Sequence, residues 1–169
     1  PTVLFCKEYE YEVSIFGIHC ADIVINYKDT VYNNQDAIIL EYQTKTKTSL
    51  EYFFFIDNNY TSIINKKNYD LLSYTKKTKQ PKLTNSIETY SKNDSLFYLN
   101  NHEYFNNNFY NIFSLLYSLQ MNKKHTKSLN YIEREGNIYN MNIESITSNN
   151  QIKYTLFLDL NINKSKNSV

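Results

Sequence analysis

Gln151-Ile152-Lys153-Tyr154-Thr155-Leu156-Phe157-Leu158-Asp159-Leu160-Asn161-Ile162 carries an apolar side chain at every second position. A period of two marks a half-buried β-strand, because successive side chains leave opposite faces of the pleat. Working outward, the same alternation stands near the start of the chain, where Tyr9, Tyr11, Val13 and Ile15 are interleaved with Glu10, Glu12 and Ser14. The pattern predicts further strands over 19–27, 37–47, 60–64, 71–77, 83–91 and 95–100. Gly17 sits where a tight hairpin needs a permissive backbone. A second hairpin is expected around Gly136-Asn137, joining strands at 128–135 and 137–146. Residues 29–36 read as a polar connection. Residues 49–55, with Leu50, Tyr52, Phe53, Phe54 and Phe55, fit either a single helical turn or a fully buried strand.

One segment departs from the rule. Phe109, Ile112, Phe113 and Leu116 follow i, i+3, i+4, i+7 spacing, which predicts an amphipathic helix over 108–120 with its stripe on the sheet. The preceding Asn106-Asn107-Asn108 offers an N-cap.

With 169 residues the chain is the size of one domain, expected over 1–162 with a polar, frayed tail at 163–169. Its apolar content leans on 17 Tyr and 10 Phe, with no Trp and only 2 Gly and 2 Pro. Tyr favours strands, and the accompanying Lys, Asn and Ile resemble the codon bias of an AT-rich genome. The net charge of +1 removes the global field expected of a nucleic-acid or anionic-membrane binder. No stretch approaches the ~20 apolar residues of a spanning helix. The start, Pro-Thr-Val with no initiator Met, is compatible with a mature chain whose signal peptide has been removed. Cys6 and Cys20 could close one loop in an oxidising compartment or be ordinary strand residues.

Residues suited to chemistry are dispersed. His19, His102 and His125 lie far apart, and none has metal-ligand spacing to another His or Cys. Glu10 and Glu12 share a strand face, as acid–base pairs sometimes do, but any exposed strand gives that spacing. Glu133-Arg134-Glu135 reads as a charged hairpin rim. Tyr74 with Lys76, Lys77, Lys79 and Lys82 could stack on and neutralise a nucleic acid, yet a lysine-protected edge strand explains them better. No phosphate-cradling loop is available with so few glycines. No catalytic residue, metal or cofactor is therefore expected.

The order of elements resembles a known family. Tyr9 through Ile18, with its Tyr-x-Val strand running into Phe16-Gly17-Ile18, is similar to the N-terminal signature of the bacterial exported family called domain of unknown function 3108. Asp57, Tyr60 and Ser62 match its Asp-x-x-Tyr-x-Ser strand. Asn111 to Leu119 looks like its central Asp-x-Leu-Ser-x-Leu-Tyr-x-Leu helix, with Asn111 in place of the Asp. His19-Cys20-Ala21 replaces a small residue or Gly, and the family's C-terminal strands are missing or replaced by the tail. The resemblance implies a periplasmic or secreted location and a β-roll or incomplete barrel, with no catalytic residues.

The expectation is thus an all-β protein, an antiparallel curved sheet of about eight to ten strands forming a β-roll or incomplete barrel around one short amphipathic helix. Its expected function is non-enzymatic binding of a hydrophobic or amphipathic ligand, a lipid or peptide, on a concave aromatic face. Phe16, Ile18, Tyr52, Phe54 and Tyr60 are expected to border the cavity mouth or, failing that, to seal the end of the core. The alternative is an assembly module that pairs an exposed strand edge with an envelope protein partner.

Overall fold

Twelve strands and one helix make up the computed structural model, which describes residues 6–100, 102–105, 109–121, 131–148, 151–161 and 167–168. The first eight strands are β1 (Cys6–Ile15), β2 (Ile18–Tyr32), β3 (Gln35–Thr46), β4 (Asp57–Asn65), β5 (Leu71–Gln80), β6 (Leu83–Lys92), β7 (Ser95–Tyr98) and β8 (Glu103–Phe105). Each pairs antiparallel with its neighbour in sequence, a meander whose far side is completed by the two-residue β12 (Asn167–Ser168) against β8. Two residues of the expected tail thus belong to the sheet. The chain's remaining strands, β9 (Tyr131–Arg134), β10 (Asn137–Ser148) and β11 (Gln151–Leu160), form a second, three-stranded sheet. The fold is all-β, and β1 and β12 end the large sheet without meeting, so no barrel closes.

Turn chemistry explains why the strands run longer than their apolar pattern. Asn33-Asn34, Asn93-Asp94, Phe16-Gly17 and Glu135-Gly136 have φ of 49° and 60°, 50° and 58°, 50° and 79°, and 52° and 86°. Positive φ at both central residues is the two-residue hairpin turn whose twist matches its strands. Asparagine tolerates that region, so in a glycine-poor chain it takes over the role. The polar connection expected at 29–36 is accordingly a tight turn, with Tyr32 opposite Gln35.

Helix α1 (Ile112–Gln120) lies between the two sheets. Its N-cap is Asn111, three residues beyond the expected asparagines. The Asn111 Oδ1 accepts from the Ser114 amide at 2.8 Å, and Ser114 Oγ accepts from the Asn111 amide at 3.0 Å. At nine residues the helix is too short to persist alone, so packing sustains it. Toward the large sheet, Phe113 meets Tyr42, Tyr60 and Tyr74 at ring distances of 4.4, 5.0 and 6.1 Å. Tyr117 meets Tyr27 at 4.9 Å and Tyr69 at 5.4 Å. Rings from β2 through β5 converge on two helical side chains, which is possible because the sheet curls around them. On the opposite side Leu115 packs with Ile132 and Met141. Burial on two sides corrects the single expected stripe: Leu115 is buried, and Leu116, placed in that stripe, is exposed.

Two other expectations change. β5 is an interior strand between β4 and β6, not a lysine-protected edge. Cys6 lies opposite Lys28 while Cys20 lies near the hairpin turn, roughly 25 Å away along the ladder, and both thiols are free.

Candidate functional site

A cavity of about 250 Å³ opens where α1, β4, β5 and the small sheet meet. Its apolar wall is Phe113 and Ile112 of the helix, Ile132 of β9 and Leu158 of β11. Alternation along β4 and β5 turns Tyr60 and Tyr74 toward it. Its polar rim is Glu133, Arg134 and Glu135, where β9 runs into its hairpin turn.

Glu133 is only 2% exposed, so the expected charged rim is partly an interior group. Burial of that carboxylate is balanced by donors: the Tyr98 hydroxyl donates to its Oε1, and the Gly136 amide donates to the same atom at 2.7 Å. Glu135 is also committed, since the buried Lys76 donates to its Oε1 at 2.6 Å. These contacts tie the small sheet to the large one across the cavity edge. Asn111 closes the floor, its Nδ2 donating to the Ser62 hydroxyl at 2.8 Å.

The remaining polar groups have no such partner among the described residues. Neither the Tyr60 nor the Tyr74 phenol hydrogen-bonds a described residue, and Arg134 pairs with no carboxylate among the described residues. Burial, reinforced by the Glu135 charge, raises the Tyr60 pKa. Burial and then the Glu133 charge push Tyr74 up further. Both are therefore neutral hydroxyls at physiological pH, able to donate or accept. Among the described residues, no histidine, cysteine or serine lines the cavity.

Of the residues expected at a cavity mouth, Tyr60 lines this cavity. Phe16 and Tyr52, on connections at one end of the large sheet, are 101% and 94% exposed, and Ile18, the first residue of β2 at the same end, is 60% exposed. Phe54 is half-buried there, following the 3-10 turn at Thr48–Leu50. That turn settles the two readings of 49–55 in favour of the helical one, and nearby Phe55 receives Lys79 Nζ at 5.4 Å from its ring centre. In the sequence Tyr74 reads as a candidate nucleic-acid contact and Asn111 and Phe113 as helix residues, whereas all three line the cavity. The helical spacing of Phe113 was a usable signal, but nothing local in sequence brings Glu133 beside Tyr98.

No family model, no curated protein and no solved structure matches this chain.

Proposed function

We propose that this protein binds a small amphipathic molecule, without transforming it, in the cavity between the helix, the large sheet and the small sheet. The observation that carries this reading is the pairing of an apolar wall, Phe113, Ile112 and Leu158, with three uncommitted polar groups, Tyr60, Tyr74 and Arg134. Such sites typically combine a mostly apolar lining with a few converging polar groups. At about 250 Å³ the cavity falls below the ~300–1,000 Å³ usual for drug-sized ligands. A short chain or single ring suits it, not a two-chain lipid. With Glu135 engaged by Lys76, and Glu133 by Tyr98 and Gly136, the Arg134 guanidinium and the neutral phenols are the groups left to hold a head, and they suit a carboxylate. Location outside the cytoplasm, as the family resemblance implies, belongs to the same reading.

Titrating octanoate into the full chain and following backbone amide resonances tests it. Shifts are expected at Tyr60, Tyr74, Phe113 and Arg134 with a Kd of about 0.1–1 mM. Octylamine should bind more weakly, and Arg134→Gln should remove the preference for the acid. Shifts confined to other residues, or no difference between acid and amine, would refute the reading.

A further inference from the structure

β1 begins the order of the large sheet, and only its β2 side is paired among the described residues. An open ten-residue edge is a template for another strand. Two features of this edge specify which strand. On its solvent face Glu8, Glu10 and Glu12 recur at alternate positions, spaced about 7 Å apart. Their β2 partners are Asn26, Val24 and Asp22, so none faces a cation across the ladder. Glu8 and Glu10 form no ion pair with a described residue, and Glu12 reaches His19 Nδ1 at 3.6 Å. On the other face Tyr9 packs on Tyr27 at 5.7 Å, but Tyr11 is 52% exposed and Val13 half-buried. The apolar layer therefore continues beyond the last strand that covers it.

We propose that the free edge of β1 binds an extended segment of another protein in which Lys or Arg alternates with aliphatic or aromatic residues. Main-chain hydrogen bonds would continue the ladder. The alternation would set cations opposite Glu8, Glu10 and Glu12 and apolar side chains opposite Tyr9, Tyr11 and Val13, the cross-strand pairs that stabilise a sheet. A second copy of this chain fits poorly. Two antiparallel β1 strands related by a two-fold axis perpendicular to the sheet bring the glutamate row of one against that of the other, and like charges directly opposite repel. The interaction is independent of the cavity, so octanoate affinity is expected to be unchanged by it.

The acetylated peptide Lys-Val-Lys-Tyr-Lys-Val-Lys, its counterpart with Glu for every Lys, and two forms N-methylated at one or the other set of alternate amides test the proposal against the full chain. The basic peptide should shift the amides of residues 6–15 and bind at least about tenfold tighter than the acidic one at low salt. One N-methylated form should lose binding and the other keep it, because only alternate amides face the edge. E8K/E10K/E12K, three exposed positions, should transfer the preference to the acidic peptide. E8Q/E10Q/E12Q, nearly isosteric, should abolish the preference without reversing it. Equal binding of the two N-methylated forms would mean charge attraction without strand addition and would overturn the proposal. So would shifts confined to other residues, no binding, or an unchanged preference in both variants. A dimer of the free chain by sedimentation that E8K/E10K/E12K dissociates would assign the edge to a second copy and overturn it too.

Discussion

Phe113 and Phe16 are the same residue in opposite circumstances. Phe113 sits between the sheets with three tyrosine rings within 6.1 Å, whereas Phe16 is 101% exposed at the tip of the β1–β2 hairpin with φ of 50°. The interior of the sheet curl is thus an aromatic array fixed by many mutual contacts. At its end, Phe16, Tyr52 and Phe53 stand mostly in water. Aromatic content alone does not reveal a core or a site; position relative to the helix sorts the rings.

The largest expected contrast is with pH. Burial raises the pKa of Tyr42, Tyr74 and Tyr98, and with lesser contributions from Tyr69 and Asp29 lifts Tyr117 to about 12. The folded chain then holds these protons after the unfolded chain has released them near pH 10, so stability is intact below pH 10 and falls as pH rises toward the folded values. Each phenol contributes about 1.4 kcal/mol per pH unit in that window. Several together approach ~5 kcal/mol by pH 11, a large share of a typical ~5–15 kcal/mol total. Tyrosinate absorbance should rise in two phases, the exposed phenols first and the buried ones together with the loss of near-ultraviolet circular dichroism. A single gradual phase would break the contrast.

Substitution sharpens it residue by residue. Tyr117→Ala should destabilise by ~3–5 kcal/mol in urea unfolding, as truncation of a large buried ring does. Tyr98→Phe should be milder, about 1.5–3 kcal/mol, because it removes one donor from the buried Glu133 but keeps the ring. Measured alongside, Tyr98→Phe at pH 7 should leave octanoate affinity within a few-fold, since Tyr98 lies outside the cavity lining. The smallest effect has the opposite sign. Phe16→Asn should stabilise by up to ~1 kcal/mol, because Asn tolerates positive φ and no buried contact is lost. A loss of more than ~1 kcal/mol there would show that the exposed end contributes to the core after all.

The strands were legible because period two survives an unusual composition: β11 (Gln151–Leu160) and β3 (Gln35–Thr46) run close to their apolar alternation. The connections were harder. Asn33-Asn34 looks like a loop by composition, and only the geometry shows asparagine adopting the backbone usually given to glycine. The helix start was displaced because three asparagines precede Phe109 while the one that caps, Asn111, also reaches Ser62 on β4. The cavity was least legible. Tyr60 drew notice through its strand, but Glu133 acquires its partners from residues 35 positions back and 3 ahead, and Lys76 meets a carboxylate 59 positions away. Pairings of that kind leave no local pattern.

The meander order also bears on how the chain reaches its native state. From β1 to β8 each strand pairs with the next, so each closure needs only a short loop and little entropy is lost at each step. The bonds that attach the helix and small sheet span 49, 35 and 59 residues. Stepwise zipping of the large sheet with late docking of the helix and small sheet is the kinetic order this favours. Destabilising changes in β9 would then act chiefly on the unfolding limb of a chevron, leaving the refolding rate nearly unchanged. The cavity, bounded by β9 and β11, would come into being only at the last step.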